Sequence, residues 1–170
     1  SLVLSGVGTV SFDSTIDLDQ GISQSGTAGT VTFRDNVTVA GNTTGTTFDA
    51  NVVLDGMTFS SAGAAQIGTT PMDGDTLTLS TGTATLTGDG AWTVYSAVDS
   101  SGAQQTLALA GAGTKTFEDT IGGTLAVLRL TQADGSGALT LRADTTVGAS
   151  GVDLQGNVVL DGMTFSSAGA

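Results

Sequence analysis

The chain has 170 residues, 39% hydrophobic and 12% charged, and its 16 acids against four bases leave a net charge of −12. Binding a phosphate backbone needs clustered Lys and Arg, so nucleic acid is excluded as a partner. With no Cys and no His, disulfides, thiolate nucleophiles, zinc sites with N and S ligands, and Ser-His or Cys-His dyads are excluded as well.

What remains favours strands and corners. Gly occurs 26 times and Pro once, and Thr and Ser crowd the intervals between apolar residues. β-Branched residues suit a pleated surface, and Gly supplies positive φ at turns. All the acids except Glu118 are Asp, a residue that bonds its own backbone in turns and keeps a Gly-rich surface soluble. No apolar run approaches the roughly 20 residues of a membrane-spanning helix, and no signal peptide opens the sequence.

In chain order, apolar residues come in alternating pairs: Leu2-x-Leu4, Val10-x-Phe12, Ile16-x-Leu18, Val31-x-Phe33, Val37-x-Val39, Met57-x-Phe59, Leu77-x-Leu79 and Trp92-x-Val94. Period-two patterning puts these side chains on one face of a strand and Thr, Ser or Asp on the other. Gly, Asn or Asp punctuates the gaps, as in Asp55-Gly56, Gly74-Asp75, Gly88-Asp89-Gly90 and Asp134-Gly135. The best helical window, Thr124 to Thr131, reads equally well as a strand.

Two periods organise these pairs. Asn51 to Ala64 recurs without a change at Asn157 to Ala170, and Ser1 to Phe12 aligns with Thr106 to Phe117 at an offset of 105. Gly29 to Val39 aligns with Gly137 to Val147 at 108, and loops of different length restore an offset of 106. One sequence unit therefore spans residues 1–105, and a partial second unit spans 106–170. Within the unit Val10, Val31 and Val52 are 21 apart, as are Phe12, Phe33 and Leu54, while Leu18, Val39 and Phe59 follow at 21 and 20. Leu107/Leu109 and Leu128/Leu130 repeat the spacing of 21, and five such periods make 105. The expectation is one continuous β-solenoid over residues 1–170, its coils of about 21 residues stacking their apolar pairs and the long repeat closing after five coils. At about 4.8 Å per coil the chain makes roughly eight coils and a rod of the order of 40 Å. The competing architecture is a tandem of Ig-like sandwiches, which predicts distinct strands without a nested period and a linker at each boundary. The unbroken Thr-Leu-Ala-Leu pattern after Gln105 favours the solenoid.

GTVSFDSTIDL, GTVTFRDNVTV and GTKTFEDTIGGTLAVLRL resemble the repeats of very large bacterial secreted or surface proteins of the filamentous-haemagglutinin and autotransporter-adhesin kind. The resemblance implies an all-β fold, a right-handed parallel β-helix, and a role as an extracellular or cell-surface stalk, adhesin or fibre. It carries no catalytic residue across.

Several segments invite a sharper chemistry. Leu109 to Thr116 looks like a phosphate-binding loop but lacks Gly directly before Lys115, and the unit-equivalent residue is Val10, so a strand-edge lysine is the expected role. Asp73, Asp75, Asp134 and Asp161 lie in oxygen-rich turns and are the loose candidates for Ca²⁺, although neither the calcium-stacking nonapeptide nor an EF-hand spacing is present. Thr30/Thr32, Thr76/Thr78, Thr83/Thr85/Thr87 and Thr114/Thr116 form the Thr-x-Thr triplets that ice-binding solenoids line up, but they share no single 21-residue register. A β-helix polysaccharide enzyme needs paired carboxylates in a cleft or a base beside them. Arg34 and Arg142 occupy equivalent positions but adjoin Asp35 and Ala143, so ion pairing between coils is the expected role. Trp92 and Tyr95 could serve a sugar platform, but the alternation of Trp92 with Val94 places it in the core. The functional expectation is a non-enzymatic structural and adhesive rod that associates end to end and contacts surface glycans or other cells, without inserting in a membrane. The alternatives are an Ig-like tandem adhesin, a polysaccharide-acting β-helix and an ice-binding solenoid.

Overall fold

The structure, a computed structural model, describes residues 1–6, 8–26, 29–41, 45–102 and 105–169. It is all-β, a parallel β-solenoid of about seven turns with successive turns about 22 residues apart. Every strand pair is parallel, which the antiparallel hairpins of an Ig-like sandwich would not give. Three faces enclose the core. Face I stacks eight strands: Leu2–Ser5, Ile22–Ser25, Thr46–Phe48, Ala65–Ile67, Trp92–Val94, Lys115–Phe117, Leu139–Leu141 and Val158–Leu160. Face II stacks Gly8–Phe12, Gly29–Phe33, Asn51–Asp55, Thr76–Thr81 and Ala97–Ser100, then continues through the Ile121 bridge to Thr145–Val147 and Phe165–Ser167. Face III stacks Ile16–Leu18, Val37–Val39, Thr58–Ser61, Thr83–Thr87, Thr106–Leu109, Arg129–Gln132 and Val152–Leu154.

The alternating pairs do what a pleat dictates. In Asn51–Asp55 the side chains of Val52 and Leu54 point inward, fully buried, and those of Asn51, Val53 and Asp55 point outward. Each inward residue sits on its equivalent in the coil before, as in Val10, Val31, Val52 and Leu77 along face II. Aromatics from all three faces meet near the axis. Phe33 stacks on Phe12 at 5.4 Å, makes edge contacts with Phe48 at 5.7 Å and Phe59 at 5.5 Å, and Phe59 meets Trp92 at 5.3 Å. Such pairs add to the burial term, which for a Phe removed from a core reaches about 3–5 kcal/mol.

The long repeat is not a whole number of turns. The Val52 strand lies on face II and its identical copy, Val158–Leu160, lies on face I. Thr58–Ser61 lies on face III, and its copy Phe165–Ser167 lies on face II. Counting the Ile121 bridge as a strand position, the copies are 14 positions apart, which on three faces is four and two-thirds turns. The expected closure after five coils is thus corrected, and its physical reason is corner length. Coils grow from 21 residues, Val31 to Val52, to 25, Val52 to Leu77, and 27, Ala65 to Trp92. Two expected stacks change with it: Phe59 sits on Val37 rather than Val39, and Leu107 pairs with Leu130 across 23 residues while Leu109 faces Gln132.

At the corner between faces III and I, chains pass too closely for side chains. A Cβ on Gly90 would strike the Gly63 carbonyl, one on Gly113 the Gly90 carbonyl, and one on Gly137 the Gly113 carbonyl. This column of glycines lets the corner backbone keep the strand spacing of the faces it joins.

Candidate functional surfaces

The corners hold most of the chemistry. Arg34, between faces II and III, bonds Asp13 of the coil below at 2.7 Å and lies 3.9 Å from Asp55 of the coil above. Arg142, between faces I and II, bonds Glu118 at 2.6 Å and lies 3.5 Å from Asp161. The acid on both sides is therefore repeated, although the residue next in sequence is not. The Arg34 guanidinium, followed by the Ser11 hydroxyl, holds the Asp13 carboxyl below its ordinary value. With each guanidinium about half exposed, these clasps tie coils together at low net stabilisation. Arg129 pairs with Asp153 at 3.3 Å on face III in the same way.

Other corner staples recur with the unit. Thr58 N–H donates to Asn36 Oδ1 at 2.8 Å, and Thr164 N–H donates to Asp144 Oδ1 at 2.8 Å. Ser61 Oγ donates to Gly63 O and Ser167 Oγ to Gly169 O, both at 2.9 Å. Each unit keeps its local geometry while it moves round by one face.

Lys115 is buried on face I, in register with Trp92 and Leu139. Its Nζ donates to the carbonyls of Ala110, Gly111 (2.9 Å) and Gly113 (2.6 Å). A phosphate loop aims amides at an anion, whereas here carbonyls converge on a cation. Desolvation lowers the ammonium's pKa from its usual value, with Asp89 acting in the opposite sense. The strand-edge expectation is corrected: Lys115 is an interior lysine. Trp92 fills the matching place one coil below, its Nε1 donating to Thr87 O at 3.1 Å. Trp92 is core, and Tyr95 stands half-buried at the next corner, so the two form no joint sugar platform.

The four calcium candidates fall in three separate places. Asp73 and Asp75 share the loop over residues 68–75 between faces I and II, Asp134 lies in a turn between faces III and I, and Asp161 is part of the Arg142 clasp. Burial pushes Asp73 up, but amides of Asp75, Thr69 and Thr70 outweigh it and hold its carboxyl low. Asp73 is thus a loop cap, its oxygens occupied by N–H donors at 3.0–3.4 Å. Asp75 is raised by desolvation and by the charges of Asp73 and Asp49. Among the described residues no group of three or more His, Cys, Asp or Glu is arranged to hold a metal. The Thr triplets distribute over all three faces, although Thr30/Thr32 and Thr76/Thr78 do share face II, with Asn51 and Val53 between them.

No family model, curated protein or solved structure matches the chain. The arrangement of the coils themselves therefore carries the functional argument.

Proposed function

We propose that this chain is a segment of an extracellular structural and adhesive rod, of the kind that filamentous-haemagglutinin-like and autotransporter-adhesin-like repeats build, and that it lengthens by end-to-end association. The observation that supports this reading is the uninterrupted stack. Faces I and III pair coil to coil throughout, face II is carried on by the Ile121 bridges, and among the described residues 29 buried apolar ones line the interior through both sequence units. Such a stack resists bending and extends its reach by adding coils. The same parallel pairing that joins each coil to the next within the chain is what would join one stack to another. Thr, Ser, Asn and Asp on the outer faces suit hydrogen bonding to surface glycans. Electron microscopy of the purified chain over a range of concentrations tests the reading: rods of constant width whose length grows with concentration are expected, and compact particles at every concentration would refute it.

A further inference from the structure

Asn36 and Asp144 occupy equivalent places in the two sequence units, each one residue before a strand, Val37–Val39 in the first and Thr145–Val147 in the second. Each reaches the next coil through one oxygen. Asn36 Oδ1 accepts the Thr58 N–H at 2.8 Å, and Asp144 Oδ1 accepts the Thr164 N–H at 2.8 Å. Because a carboxylate serves in the second unit, the corner requires an acceptor there and not an amide. The Nδ2 of Asn36 is therefore surplus to the fold. It makes no hydrogen bond among the described residues, and Asn36 is exposed.

Two residues on, Thr38 is exposed between the buried Val37 and Val39. Side chains at i and i+2 stand on one side of an extended chain, so the free amide of Asn36 and the Thr38 hydroxyl are presented together. Asn36-Val37-Thr38 is thus Asn-x-Thr with no Pro in the middle, the pattern that asparagine glycosyltransferases accept: the hydroxyl is recognised and the amide nitrogen receives the sugar. The neighbouring coils meet Asn36 through its oxygens alone, Ile16 N–H donating to Asn36 O at 2.9 Å and Thr58 N–H to Oδ1. A sugar on Nδ2 leaves both bonds in place.

We propose that Asn36 is a site of N-linked glycosylation. In the transfer, Asn36 Nδ2 attacks the anomeric carbon of a sugar activated as a phosphate or diphosphate ester. The C1–N bond forms as the bond from C1 to the ester oxygen breaks, the electron pair leaves with the phosphate, and one Nδ2 proton passes to a base of the transferase. The sugar stands at the corner between faces II and III, beside the Arg34 clasp. The equivalent corner of the second unit stays bare, because Asp144 lacks the amide although Thr146 keeps the exposed hydroxyl. This site draws on the extracellular part of the function proposed above and not on rod growth, which microscopy reads independently.

Peptide mapping by mass spectrometry, with fragmentation that locates the sugar, tests this on the full chain isolated from the cells that make it. Resolution by residue is needed, because Asn42-Thr43-Thr44 repeats the pattern outside the described residues, whereas Asn51 and Asn157 are each followed by Val-Val and lack it. A sugar increment is expected on Asn36, with Asn51 and Asn157 bare. Asn36→Asp, which keeps the acceptor oxygen as Asp144 does, and Thr38→Val, which suits an exposed strand position, are each expected to lose the increment at this site while retaining the cooperative melt of the fold. Asp144→Asn, which completes the pattern with Thr146, is expected to gain one. An unmodified Asn36 in the parent chain, a sugar on Asn42 alone, or an increment on Asn36 that survives Thr38→Val would overturn the proposal, and each leaves the rod reading intact. An Asp144→Asn chain that stays bare at residue 144 would overturn the claim that this corner presents the acceptor.

Discussion

Lys115 shows how one residue is decided by its neighbours. Its sequence context, Gly-Ala-Gly-Thr-Lys-Thr, resembles an anion loop, yet the side chain turns inward and donates to three corner carbonyls, those of Ala110, Gly111 and Gly113, with Gly111 O also accepting the Gly137 N–H. Two terms compete there. Burying an ammonium is costly, and leaving buried carbonyls without donors is costly too. Because the Lys115 Nζ makes all three bonds while its stem fills the place that Trp92 and Leu139 fill in adjacent coils, the second term dominates on removal. Lys115→Met, which keeps the stem, is expected to lower stability by about 1–3 kcal/mol, read as a fall in the urea midpoint at unchanged slope. A variant as stable as the parent would show that the carbonyls find other donors. Neither Lys115 nor the Asp73 cap was legible as such in the sequence, because both depend on which way a corner turns.

At the scale of the element, strand and corner obey different constraints. Strands were readable because alternation is a local property: Val31-x-Phe33 and Val37-x-Val39 bury the residues their pattern predicts. Corners tolerate insertions, and their lengths vary without disturbing the pairs on either side. They do not tolerate bulk where backbones cross. Gly113 lies between Gly90 and Gly137 in the column at the corner of faces III and I, and a methyl group there meets the Gly90 carbonyl. Gly113→Ala is therefore expected to destabilise the chain by about 1–3 kcal/mol, whereas Gly74→Ala, with open space around it although its φ is positive, is expected to cost less. Thermal melts of the two variants would check the order, and the reverse order would argue against close packing of the corners.

Over the whole molecule, the mismatch between sequence unit and turn is the main consequence of the fold. Fourteen strand positions on three faces carry each copy round by one face, so unit-equivalent residues have different faces but similar neighbours. Equivalent sites are offset by about 22 Å along the axis, and three units return to the starting face after about 67 Å. A flat partner that reads the unit from one side therefore meets it at the longer spacing. Because the chain has no Cys, engineered pairs can report the face directly. Thr93→Cys with Thr116→Cys, register neighbours on face I, are expected to oxidise to an intrachain disulfide, since parallel neighbours fall within bridging distance. Asp99→Cys with Thr116→Cys, which a five-turn unit would bring to one face, are expected to stay reduced. Oxidation of the second pair, and not the first, would restore the five-turn register.

By itself the sequence determined the class of fold, because period-two alternation punctuated by Gly and Asp admits strands and tight corners, and a repeated spacing near 21 residues admits their stacking. It also determined the first stacked columns, Val10 on Val31 on Val52, where the coils have equal length. Only the tertiary structure decided the number of faces, the turn count, and hence where the copies lie, since those depend on the sum of corner lengths and no local pattern records a sum. The tertiary structure likewise decided that Arg34 and Arg142 have repeated acid partners, because those carboxylates lie one coil away along the chain and are brought near only by stacking.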